Sequence, residues 1–259
     1  AEFILPVLVT YFFLIYSWRT VWQGIAILII LFLPFLILNT IKSIKLDSRE
    51  VDPNPDNKKL KIKSWRRRDV LKDYRFYIVS LNMLAMPWIA TGVFVYQSFI
   101  LESKNWGDFV IAKSFMFYAI LSVLTLFISG PLVDKLTSRK ILPFMNIPSL
   151  FSMLILFYFD SHISSYFVHG LMGISNGLAN VLGSSTWAEI YGVKHIGSIK
   201  ALTTSMMVFS TAFGTAIFGI IIDLGYSIQV IALVSSAYII TANILIMFFK
   251  SQIKPVYIK

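Results

Sequence analysis

Composition and hydropathy make this chain an all-α, polytopic membrane protein. Of its 259 residues, 57% are hydrophobic and only 14% charged, with a mean hydropathy of +0.74. A soluble domain is typically about 45–50% apolar and about 25% charged. The apolar residues collect in long runs separated by short polar connections. About 20 helical residues rising about 1.5 Å each cross a hydrocarbon core of about 30 Å. Barrel strands are about 10 residues long and alternate in hydropathy, which these runs do not. Helices satisfy every backbone group within the segment, as lipid demands.

Charge placement supplies the orientation. Net charge is +10, and 12 of the 23 Lys and Arg lie within residues 41–75. Three more fall in Gly130–Leu142, two are Lys194 and Lys200, and three are Lys250, Lys254 and Lys259. Spans threaded in alternation bring all of these to one side, leaving only Arg19, Lys104 and Lys113 elsewhere. This positive-inside pattern predicts a multi-pass protein of the cell (inner) membrane with a cytoplasmic linker and C-terminus. It also argues against a nucleic-acid partner, since the bases follow the threading rather than one folded face.

Taken in order, Phe3–Ser17 reads as a truncated first span, and Ser17–Trp22 as an outer turn with interfacial Trp18 and Trp22. Gly24–Leu38 is a second span. The chain opens in apolar sequence with neither Met nor a basic leader. It therefore reads as a fragment that begins inside a span, not as one with a signal peptide. Within the linker, Val51–Asn57 (VDPNPDN) has the composition of a disordered connection. Lys58–Arg75 then intersperses bases with Leu60, Ile62, Trp65, Val70 and Leu71. That pattern suits the anionic inner leaflet, at about 1 kcal/mol per base near the surface. Six further spans fill residues 76–250: Phe76–Leu101, Trp106–Ser129, Ile141–Phe159, Ile163–Trp187, Ile199–Ile222 and Ser227–Phe249. Residues 251–259 form a tail.

The connection after the fourth span, Gly130–Leu142 (GPLVDKLTSRKIL), carries the most specific pattern. Gly130 suits close helix approach, Pro131 suits a helix that is ending, and Asp134 is placed to accept charge-assisted hydrogen bonds. The stretch resembles the loop signature of the major facilitator superfamily, G-x-L-x-D-K/R-x-G-x-R/K-x-x-L. Gly130, Leu132, Asp134, Lys135, Arg139 and Leu142 match, and Thr137 stands where the second glycine is usual. Thr91–Gln97 (TGVFVYQ), Trp187–Lys200 and Met207–Asp223 are similar to later segments of bacterial organic-anion or monocarboxylate members. There Tyr96 replaces a common histidine and Thr215 a common proline.

The resemblance implies a six-plus-six helix bundle of which about the first four helices are missing. Residues 1–40 would be the last two helices of the N-terminal bundle, 41–75 the basic cytoplasmic linker, 76–250 the C-terminal six-helix bundle, and 251–259 the tail. It implies secondary active transport of a small organic solute by alternating access, with a lean to organic anions. Gly130, Asp134, Lys135, Arg139 and Glu189 would then form a cytoplasmic gate.

Solute-binding candidates come from polar groups inside the spans. Lys113 is the one Lys or Arg well inside a span, and an intramembrane charge is a functional candidate by default; snorkelling is the alternative. Ser114 and Tyr118 share its helix. Thr91, Tyr96 and Gln97 follow Pro87, which frees the Met83 carbonyl. Asn176, Asn180 and Ser184 recur every four residues on one face. Gly173–Gly177, and Ser210 with Gly214, have the spacing of close helix packing.

Other classes are weakly supported. Gly173–Gly177 also reads G-x-S-x-G around Ser175, the pattern of a serine nucleophile, but it lacks the strand-turn-helix setting that pattern needs. An intramembrane protease is thus the weakest alternative, behind a transport-inactive sensor or scaffold of the same fold. No cysteine, P-loop or H-E-x-x-H is present, so no cofactor or metal is expected. The partners expected are the solute, a coupling proton or ion, and membrane lipid.

Overall fold

The computed structural model describes residues 11–12, 15–43 and 61–258. Most of the first expected span and the VDPNPDN linker lie outside the described residues. The chain divides into two compact units, residues 3–60 and 61–259, each described by itself.

In the first unit, α1 runs Trp18–Ser43 with Pro34 inside it. It absorbs the expected outer turn, and the Arg19 guanidinium lies over the Trp18 ring.

The second unit is a helical bundle. Its elements are β1 (Lys61–Ile62), α2 (Arg67–Val70), α3 (Tyr74–Val95), α4 (Gln97–Lys104), α5 (Asp108–Leu136), α6 (Ser138–Ile141), a 3-10 turn at Leu142–Phe144, α7 (Ile147–Tyr158), α8 (His162–Tyr191), α9 (Ile196–Asp223), α10 (Ile228–Phe249) and β2 (Tyr257–Ile258). α5 lies along α8, α3 along α9 and α10, and α7 between α8 and α10. The buried side chains form two layers. One centres on Trp88, Ile89, Met153, Met172 and Phe218. The other centres on Phe76, Leu142, Trp187, Tyr191 and Ile246 and lies nearer the basic loops. The outside is greasy: Phe127, Phe209 and Phe248 are each more than 70% exposed, an arrangement suited to hydrocarbon.

Among the described residues, six helices are long and apolar enough to cross a membrane. α8 has 30 residues but is not one of the six, because Ser, His, Asn and Gly dilute it. Those residues are where it packs. A Cβ on Gly173 would stand 2.3 Å from the Tyr118 carbonyl oxygen, and one on Gly177 2.6 Å from that of Ser122. The pair therefore packs helices closely, as its spacing suggests, and Ser175 Oγ accepts from the Ser149 amide at 2.9 Å.

Four expectations need correction. The stretch read as a connection from Gly130 is helical through Leu136, with Pro131 inside α5. Gly130 is not a close-approach site: no described neighbour lies within 4 Å of a Cβ built there. Its position just before Pro131 matters instead, because a Cβ on the residue preceding proline meets the pyrrolidine ring. The third span ends at Val95 and continues after a break at Tyr96 as α4. The fifth span is interrupted by the 3-10 turn holding Pro143 before α7 begins.

The unit begins at Lys61, so the end of the basic stretch belongs to it. β1 pairs antiparallel with β2. Val70 is fully buried, and Trp65 packs its ring edge against Tyr191. Val70 and Trp65 thus turn toward the bundle, while Leu71, Arg66, Arg67, Arg68 and Lys72 are exposed.

Candidate functional site

A cavity of about 270 Å³ opens between α3, α5, α8 and α9. Pro87 creates part of its wall. Proline has no amide hydrogen for the carbonyl four residues back, and its ring pushes the helix aside. Met83, Leu84 and Pro87 all line the cavity. Neighbouring carbonyls of α3 accept from other helices: the Ser210 hydroxyl donates to the Leu84 carbonyl at 3.0 Å, and that of Tyr238 to the Leu81 carbonyl at 2.8 Å.

Of the expected solute ligands, Thr91, Tyr118, Asn176 and Asn180 line this one cavity. The two asparagines are held by their own amide nitrogens. Asn176 Nδ2 donates to Ser122 Oγ at 2.9 Å, and Asn180 Nδ2 to the Asn176 carbonyl at 2.9 Å.

Four candidates lie elsewhere. Ser184 accepts from Lys200 Nζ at 2.9 Å. Tyr96 packs its ring against Phe218, with its hydroxyl over Gly219. Gln97 begins α4 with its Oε1 buried and unpartnered. Lys113 is exposed and lies about 140° around α5 from Tyr118, at about 100° per residue. Ser114 turns inward, bonded to Ser165 at 2.8 Å.

Sequence reasoning missed much of the lining. Met83, Met86, Met145, Met206 and Met207 all contribute, beside Phe94 and Trp187. Methionine in a span reads as ordinary core, and only the shared wall identifies these five.

The loop residues at the basic end form a second cluster. Glu189, in the last turn of α8, accepts from the Ser138 amide at 3.0 Å and also binds the Ser138 hydroxyl. Its other oxygen pairs with the Arg139 guanidinium. Arg139 donates in addition to the Ile253 carbonyl at 3.2 Å. One carboxylate therefore closes the start of α6 and fixes the arginine, which reaches on to the tail. Asp134 was expected to accept such bonds. It is exposed in the last turns of α5 and, among the described residues, has no hydrogen-bond or ion-pair partner. Glu189 takes that work because α5 continues past Asp134. Lys135 is exposed beside it.

Thr137 joins α5 to α6 with φ 71° and ψ 144°. That region is essentially reserved for glycine, so the backbone demands what the side chain resists.

Behind the loop, Asp73 caps α3, accepting from the Arg75 amide at 3.0 Å. It pairs with the Arg75 guanidinium at 2.7 Å and accepts from the Tyr191 hydroxyl at 3.1 Å. Burial, with the adjacent Asp73 charge, pushes the Tyr191 phenol well above its ordinary range. At the opposite end, buried Lys104 pairs with Asp160 at 2.5 Å and donates to the Phe159 carbonyl at 3.2 Å.

A charged loop of this make-up, between apolar helices that enclose a cavity, is the setting the loop signature implies. The family model for the Major Facilitator Superfamily matches residues 1–215. This chain belongs to the major facilitator superfamily. A search of curated proteins finds no match. Members of the superfamily are transporters, so this member is a multi-pass membrane protein of the transporter class. In this superfamily chain the signature residue Arg139 pairs with Glu189 of α8, outside the signature.

Proposed function

We propose that this chain moves a small organic solute across the membrane by secondary active, alternating-access transport. The cavity between α3, α5, α8 and α9 is this bundle's share of the solute site. The observation that carries the reading is the convergence of Thr91, Tyr118, Asn176 and Asn180, from three helices, on one cavity. Solute sites are concave, mostly apolar, and furnished with a few placed polar groups. The lean to organic anions draws on Lys113 and on the resemblance to organic-anion members; Lys113 stands away from this wall, so the lean is not carried into the reading.

In this reading the Arg139–Glu189 pair, with Gly130, Asp134 and Lys135, belongs to a gate at the basic end. Asp134, without a partner among the described residues, is the group left to engage one when the gate closes. The basic end is cytoplasmic, and exposed Arg66, Arg67, Arg68 and Lys72 meet anionic lipid, supported by the charge asymmetry of the loops. Any coupling carboxylate is expected outside residues 76–250, whose spans hold no mid-span Asp or Glu.

Uptake of labelled solutes into proteoliposomes of the full-length protein tests the proposal. Asn180→Leu is expected to slow initial uptake, while Ser184→Ala is not. Solute binding with no uptake of any bound solute would favour the sensor reading. Impermeant labelling of the Asp160–His162 turn and of Asn57 from opposite faces tests the threading.

A further inference from the structure

We infer that the solute part lodged in the α3–α5–α8–α9 cavity is an apolar body bearing a hydrogen-bond donor, neutral or positively charged, and not an organic anion. The inference rests on the proposal that this cavity is the solute site, and it narrows the solute's chemistry.

The first observation is charge. Among the described residues, no Lys, Arg, His, Asp or Glu lines the cavity. Lys113 lies on another face of α5, and Lys200 donates to Ser184, both outside the lining. A carboxylate moved there would lose water and gain no cation from this wall, which disfavours it.

The second observation is the direction of the amides. Asn180 Nδ2 is committed to a backbone carbonyl, that of Asn176. Since that partner can only accept, nitrogen and oxygen of the Asn180 amide are fixed, and Oδ1 is left as an acceptor for a ligand. Asn176 likewise directs its nitrogen to Ser122 Oγ. The half-exposed rim therefore offers amide oxygens, which accept from a hydroxyl or ammonium, beside one further N–H on each amide nitrogen.

The third observation is the remaining surface. Five methionines lie beside Phe94, Tyr118 and Trp187. Thioether side chains are flexible and polarisable and adapt to varied apolar shapes. Aromatic faces attract cations by their quadrupole. Acceptors at the rim, soft apolar walls and aromatic rings together select an amphipathic donor.

Three probes with one phenethyl body separate the possibilities: phenethylamine, phenethyl alcohol and phenylpropionate. Binding of each radiolabelled probe to purified full-length protein is measured apart from uptake. The amine and the alcohol are expected to bind at least about tenfold more tightly than the carboxylate, an ordinary consequence of one unmade polar contact. Amine above alcohol marks a cationic solute; equality marks a neutral one. Asn180→Leu is expected to weaken the amine and alcohol by about tenfold and leave the carboxylate unchanged. Asn180→Asp is expected to tighten the amine alone. Carboxylate binding as tight as the amine, equal losses for all three probes, or no binding by any of them overturns the inference. Probes that bind but are never taken up would instead refute transport and leave the ligand class standing.

Discussion

Gly214 of α9 lies against the carbonyl oxygen of Trp88 in α3, where a Cβ would stand only 2.3 Å away. One turn on either side, Ser210 donates to the Leu84 carbonyl and Phe218 sits over Gly92. The two helices are therefore zipped along Ser210, Gly214 and Phe218. Gly214→Val is expected to lower the melting temperature in detergent, by the roughly 1–3 kcal/mol that overpacking costs. The neighbour is backbone and has no rotamer to yield. Gly197→Ala is the control, with no atom within 4 Å of its Cβ, and is expected to leave stability unchanged or raise it slightly. Equal losses would contradict the packing described.

Thr137 supplies the opposite case. A β-branched residue at φ 71° carries strain of about 1–3 kcal/mol. Thr137→Gly is expected to raise the melting temperature even though it removes a side chain. A lower melting point would mean that the Thr137 side chain contributes more than its backbone loses.

The Arg139–Glu189 pair keeps about a fifth to a quarter of each side chain exposed, so solvent screening discounts it below a fully buried pair. A double-mutant cycle with Arg139→Gln and Glu189→Gln is expected to give a coupling of about 1 kcal/mol. Glu189→Gln alone is expected to be the costlier single change, because the carboxylate also holds the Ser138 amide. A coupling near zero would remove the pair from any account of gating.

Lys104 and Asp160 differ sharply in exposure, 0% against 74% of the side chain. Removing the exposed acid strands a buried ammonium with one carbonyl; removing the lysine returns the acid to water. Asp160→Ala is expected to cost about 1–3 kcal/mol and Lys104→Met distinctly less. Thermal melts of the two single variants decide it, and the reverse order would contradict the burial argument.

Much of this was legible from residue order. Long apolar runs are inseparable from spans, and the four-residue spacing of Asn176 and Asn180 already placed both on one face; both line the cavity. Ser184 shares the spacing but meets Lys200 from the next helix, a tertiary event that periodicity cannot foresee. Lys113 stood out by chemistry, yet which way it faces depends on where Ser114 and Tyr118 pack. The signature loop showed its charges, but not that α5 would run on through Pro131 and hand the capping role to Glu189. Strands of two residues, as in β1 and β2, leave no pattern to read.

That small strand pair has a topological consequence. Lys61 and Ile258, near the two ends of the second unit, are paired partners. Entry and exit of the chain meet at one seam, so the connectivity between them is not what positions the helices. A circular permutant joining Ile258 to Lys61 through a few glycines, and reopened at the turn containing Gly225, should keep the same helical arrangement.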